Sequence, residues 1–227
     1  LPVGPTIFNE RYTYVPSVMI FAGTMNFLFN EKRFANFNRN ILMACIILTA
    51  ILYAYKTNER SKVWNNSTVL WSDAVSKSPK AAHALNNLGD AYFNSGQIDS
   101  AIIYFTKAIE INPNYASALY NRGNAYGQTG KATEALVDLD RSIQFDPKRA
   151  EAYNKRGQAN ALTGHLDKAF EDFAKALALK PDYAEVYFNL GITYLNTNQK
   201  NQACENLRKA ANMGFENAVK PLQQACN

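Results

Sequence analysis

"ALNNLGDAYFNSGQIDSAIIYFTKAIEINP", residues 84–113, decides the fold. In its first half Leu85, Leu88 and Tyr92 stand three and four apart, and in its second Ala101, Phe105, Ala108 and Ile109 do the same. That spacing lays an apolar stripe along one face of an α-helix. Gly96, between the halves, enters the left-handed conformation with least strain and so ends the first helix. Pro113 ends the second, because it has no N–H to donate and disfavours helix at the residue before it. The stretch predicts a pair of helices.

Outward from this pair the pattern recurs every 34 residues: Gly89, Gly123, Gly157 and Gly191; Ala101, Ala135, Ala169 and Ala203; Pro79, Pro113, Pro147 and Pro181. At the reversal stand Gly96, Gly130, Gly164 and then Asn198. The small residues let paired helices approach, and larger ones would overpack at about 1–3 kcal/mol. In period and in its W/L/G/Y…A…F…A…P pattern the sequence resembles the tetratricopeptide repeat. The expectation is an all-α solenoid with four full repeats at 82–115, 116–149, 150–183 and 184–217. Departures stand at Asn160, where an aromatic is usual, at Ser142, where a small apolar residue is usual, and at Phe215 in place of the closing proline.

The ends of the array follow from the same register. Trp71, Ala74 and Pro79 match Phe105, Ala108 and Pro113, so residues 63–78 are expected as a second-type helix inside a half repeat at 61–81. Its partner would be the end of an apolar helix near residues 48–60. Residues 216–226 read as one amphipathic helix capping the last pair, with 218–227 closing the chain.

At 227 residues with 47% apolar content, the chain is too hydrophobic for a disordered tail. Its charge of +5 is confined to one end: residues 1–81 hold 9 Lys and Arg against 4 Asp and Glu, whereas 82–217 hold 14 against 15. A basic flank beside apolar segments suits a membrane surface better than a nucleic acid, which is not expected as a partner. Residues 1–60 contain two charge-free segments, Val15–Phe29 and Ile41–Tyr55, in helices expected at about 15–29 and 41–58. They are read as a transmembrane hairpin or, alternatively, as a buried hairpin in a soluble domain. Each is fifteen residues long, below the usual span. The chain begins at Leu1, partway through a sensible segment, and is expected to be a piece of something longer.

"NERYTYVPS" at 9–17, followed by these segments, "ERSKVWNNSTVLWSDAVSKSP" and the repeats, resembles the C-terminal end of GT-C-type membrane glycosyltransferases. The similar group is the transmembrane and tetratricopeptide-repeat-containing O-mannosyltransferases with their bacterial relatives. The matching positions are Glu10, Arg11, Tyr12, Tyr14, Pro16 and Ser17, then Arg60, Trp64 and Trp71. The resemblance implies a multi-span enzyme taking a sugar from a lipid-linked donor, with both chemistry and repeats on the extracytoplasmic side. The acidic catalytic loop of such enzymes lies upstream, so no catalytic residue is assigned here, and a lipid-linked sugar enters only through that upstream part. The alternative is a membrane-anchored scaffold with no enzyme attached.

Cys45, inside an apolar segment, reads as a small hydrophobe. Cys204 and Cys226 lie about equally far from a turn near Gly214. They read either as a disulfide fastening the cap, which needs an oxidising compartment, or as two ordinary buried thiols.

The search for chemistry is empty. "GQTGKAT" at 127–133 would need glycine at 125 and Ser or Thr at 132 for a phosphate loop, and both are alanine. His83 and His165 have no Cys or carboxylate at metal-ligand spacing, so no metal or cofactor is expected. Scattered Asp and Glu read as solvated faces. What remains is the concave groove implied by the repeat family, lined by the second, fifth, sixth and ninth residues of each first helix. These include His83, Asn86, Asn87, Asp90, Tyr120, Asn121, Asn124, Asn154, Lys155, Gln158, Phe188 and Asn189. A side-chain amide offers both donor and acceptor to an extended peptide backbone. Asn87, Asn121 and Asn189 occupy equivalent positions and resemble the asparagine ladder of peptide-holding arrays, broken at Lys155. The expected partner is a protein or extended peptide; the alternative is a groove that binds nothing strongly.

Overall fold

The computed structural model describes residues 39–62 and 66–226, and within them every regular element is helical. The helices are α1 (Arg39–Lys62), α2 (Ser67–Lys77), α3 (Ala82–Asn94), α4 (Ile98–Ile111), α5 (Ala116–Gln128), α6 (Ala132–Phe145), α7 (Ala150–Leu162), α8 (Leu166–Leu179), α9 (Ala184–Asn196), α10 (Lys200–Asn212) and α11 (Val219–Cys226). They divide into two units, one ending at Ala84 and one beginning at Leu85.

In the first unit α2 starts at Ser67 rather than at the expected residue 63. Asn66 caps it: its side chain accepts from the Thr68 N–H at 2.8 Å and from that of Val69 at 3.4 Å. Ala74 is buried and the Trp71 ring meets His83 edge-on, with centroids 6.0 Å apart. α1 gives no support to the expected crossing at Ile41–Tyr55. Among the described residues no helix is long and apolar enough to cross a membrane. Arg39 and Lys56 bracket an apolar run short of the ~20 residues a span needs. The expected packing of residues 48–60 as the missing half repeat is not found either, since Leu48, Ile51, Leu52, Tyr53 and Tyr55 are each more than half exposed. The expected segment Val15–Phe29, the stretch 9–17 and Trp64 lie outside the described residues.

In the second unit the helices pair as the register demands. Ala101, Phe105, Ala108, Ala135, Leu139, Ala169, Phe173, Ala176, Ala203 and Leu207 form the buried seam. Gly89, Gly123, Gly157 and Gly191 each lie under one large side chain of the partner helix. A Cβ on Gly89 would lie 2.6 Å from the Phe105 ring, one on Gly157 2.7 Å from Phe173, and one on Gly191 2.7 Å from Leu207. Asn198, at φ 58°, makes the reversal that Gly130 makes at φ 76°.

The cap also differs from expectation. Residues 216–218 form a 3₁₀ turn, and the α-helix begins only at Val219. Pro221 is the cause, because a residue without an N–H fits the first turn of a helix but not its interior. Leu207, Ala210 and Ala218 are buried there with Phe188, Phe215 and Leu222 packed against them. A disulfide joins Cys204 to Cys226 across this end.

Candidate functional site

Polar side chains join the first helices of the second unit in pairs, α3 to α5 and α7 to α9, and these bonds mark the face they share. Asn121 on α5 donates to the Asn86 carbonyl oxygen on α3 at 3.0 Å, and Asn189 on α9 donates to that of Asn154 on α7 at 2.8 Å. Both bonds span 35 residues, one repeat plus one. Lys155 on α7 reaches Glu185 on α9 at 2.8 Å, and the Gln158 amide points to the same carboxylate at 3.5 Å.

Several residues expected to face a ligand are therefore redirected. Asn86, Asn154 and Asn189 are buried and tie repeats together; Asn154 is 0% exposed. Phe188 meets the Phe215 ring at a tilt, centroids 5.2 Å apart, and belongs to the capped core. His83 lies in the first unit against Trp71. The equal spacing of the asparagines cannot reveal this, because it compares each position only with its counterparts. The partner of each buried amide lies one residue out of register.

The half-exposed residues that remain are Asn87, Tyr120, Asn121, Asn124, Lys155 and Gln158, with Asp90 exposed. Asn124 and Gln128 have no hydrogen-bond partner among the described residues, so both amides are open to a ligand. Glu185, absent from the expected set, is a member of this face through Lys155. Its signal was its place as the second residue of a first helix. Tyr120 sits beneath the Arg149 guanidinium, 5.1 Å from the ring centroid. Its hydroxyl pKa is pushed up to about 12, first by burial and then by the charges of Glu151 and Glu185. Burial and Glu185 also raise that of Tyr183. Both hydroxyls thus stay protonated and able to donate at neutral pH.

The expectation that carboxylates serve only as solvated faces is corrected on the other side of the first helices. Asp138 and Asp172 are buried. Arg156 binds Asp172 through Nη2 at 2.6 Å and Asp140 through Nη1 at 2.7 Å, and the Asn160 amide donates to Asp172 at 2.9 Å. Burial opposes the Arg156 charge, yet these hydrogen bonds prevail and its pKa is raised. Asn160 is thus a ligand of a buried carboxylate. Ser142, the other departure, donates to the Ala116 carbonyl at 2.9 Å and fastens α6 to α5.

Comparison with known proteins agrees with this architecture. The family described as "TPR repeat" matches residues 89–130 and 162–198, and that described as "Tetratricopeptide repeat" matches 116–149 and 184–213. A crystal structure of MamA is 26% identical, covering 65% of this chain and 86% of its own with a TM-score of 0.57. MamA 41-end from Desulfovibrio magneticus RS-1 is 23% identical, covering 74% and 96% with a TM-score of 0.61. YrrB, described as a TPR protein with an unusual peptide-binding site, is 23% identical, covering 77% and 88% with a TM-score of 0.58. No curated protein matches the sequence. With its helix pairs, its register and these likenesses in agreement, the second unit carries tetratricopeptide repeats.

Proposed function

We propose that the shared face of α3, α5, α7 and α9 holds an extended segment of another protein. One observation carries this reading: amides on that face are fixed in place by bonds between repeats, as Asn121 is by Asn86, while Asn124 and Gln128 beside it keep their hydrogen-bonding capacity. Polar groups immobilised before binding lose little entropy on binding, which favours main-chain recognition. The half-buried Lys155–Glu185 contact is a single N–O pair, and a ligand can rearrange it at small cost. The peptide-binding site ascribed to YrrB, a protein of the same fold, is consistent with this use. The test is a library of extended peptides presented to the 227-residue chain and to its Asn121→Ala and Gln158→Ala variants. Retained peptides should bind each variant about tenfold more weakly, the loss of one or two hydrogen bonds; a chain that retains no peptide contradicts the reading.

In the same reading the array is attached to a membrane and faces the extracytoplasmic side. Its support is the Cys204–Cys226 disulfide, which suits an oxidising compartment, and the exposed apolar residues of α1, which suit lipid better than water. The resemblance around residues 9–17, Arg60 and Trp71 supports reading the array as the acceptor-recruiting arm of a GT-C-type glycosyltransferase, whose upstream part would handle the lipid-linked sugar. A membrane-anchored scaffold is the alternative. Alkaline extraction with protease protection of intact cells tests the attachment. Release into the soluble fraction contradicts it.

A further inference from the structure

The second repeat departs from its neighbours at two apolar positions, and the third at one, and all three departures meet at one place. Gly127 stands where the other repeats have Phe93, Ala161 and Leu195, and Ala132 stands where they have Ile98, Leu166 and Lys200. Leu162 stands where they have Asn94, Gln128 and Asn196. Gly127 and Ala132 are thus the smallest residues at their positions, and Leu162 is the one apolar residue at its own. In the structure Gly127, Ala132 and Leu162 line a single pocket of about 140 Å³ between α5, α6 and α7. A Cβ built on Gly127 meets nothing within 4 Å, so the space above it is open. Leu162 is 74% exposed at the rim, where it adds apolar surface to the pocket mouth.

The geometry points to a specificity pocket that takes one aliphatic or aromatic side chain of the bound segment; this rests on the peptide-binding reading above. The size is suitable: an apolar cavity of about 150 Å³ accommodates a benzene ring. So is the chemistry. Ala135, Leu139 and Ala159 supply an apolar wall, while the amides of Asn124, Gln128 and Gln158 stand around it where a peptide backbone would run. At the position of Gly127 the first and fourth repeats carry a large side chain, Phe93 and Leu195; here the partner would supply it.

A positional-scanning library of extended peptides against the 227-residue chain tests this. The prediction is a preference for Leu, Ile, Met or Phe at one position, with an alanine peptide at least about tenfold weaker, the worth of a buried aliphatic side chain. Gly127→Leu, which restores the residue of the fourth repeat, should erase that difference while circular dichroism stays unchanged and the melting temperature does not fall. Ala132→Leu serves the same purpose should Gly127→Leu fold poorly. Asn121→Ala should weaken both peptides equally and keep the preference. Peptides bound with no such preference, or a preference that survives in a folded filled variant, overturn the pocket and leave the binding face intact. Retention of no peptide overturns both. If the filled variants instead lose only a self-association seen by sedimentation, the pocket holds a second copy and the assignment is wrong.

Discussion

Arg122 closes on Asp138 through two parallel hydrogen bonds, Nε to Oδ2 at 2.7 Å and Nη2 to Oδ1 at 2.8 Å, and its third nitrogen reaches Thr106 at 3.1 Å. The carboxylate is 3% exposed and the guanidinium side chain 16%, so water replaces neither partner easily. This pair joins α5 to α6, and its hydrogen bond to Asp138 raises the pKa of Arg122.

Removing one partner should therefore cost far more than removing both. Arg122→Met strands a buried carboxylate, for which the expected loss is about 3 kcal/mol. Arg122→Met with Asp138→Leu should recover most of that loss, since apolar replacement of a buried pair is often neutral. Urea midpoints of the two variants make the comparison, and equal midpoints would refute it.

The glycines divide into two kinds with opposite responses. Gly157→Ala places a Cβ 2.7 Å from the Phe173 ring and should destabilise by about 1–3 kcal/mol through overpacking. Gly127→Ala meets open space within a helix and should stabilise by about 0.5–1 kcal/mol. Thermal melts of both variants check the sign.

The disulfide closes a segment with a sequence separation of 22. Cys226→Ser should loosen the cap by roughly 2–4 kcal/mol, the usual worth of a bridge over a loop of this size. Limited proteolysis should then cut first between Phe215 and Cys226, and intact mass should change with reductant only in the parent chain. Equal cleavage in both would contradict a fastening role.

Tyr120 gives the pH dependence. Its pKa when folded, about 12, lies above the ordinary value of 10.0, so unfolding releases its proton only above that ordinary value. The stabilisation is whole below pH ~10 and is lost as pH rises towards ~12. Tyr120→Phe should flatten the alkaline fall in stability, and should remove a late component from the tyrosinate absorbance titration. An unchanged titration would show that the hydroxyl is not held as described.

The helix pairs were legible because Gly89 and Phe105, or Gly157 and Phe173, recur at one period, and recurrence is what the eye detects in a sequence. The site was legible only in part. Asn124, Lys155 and Gln158 were named for the face and lie on it, but Asn86 and Asn154 were consumed by amides one residue out of register. Asn160 looked like a lapse because its partner, Asp172, lies on the other helix of the pair, a relationship that no spacing rule encodes. The pocket was present in the sequence as small residues at Gly127 and Ala132, yet a missing side chain becomes a cavity only when the neighbouring helices are in place. For α1 the apolar run was read correctly as a helix, and its charged ends, Arg39 and Lys56, set its apolar length below that of a span.

Side-chain amide resonances test the central claim most directly. With a retained peptide added to the isotopically labelled chain, the signals of Asn121, Asn124, Gln128 and Gln158 should shift, while those of Gln144 on α6 and Gln202 on α10 should not. Shifts confined to α6 and α10, or no shift at saturating peptide, would contradict binding on the shared face of the first helices.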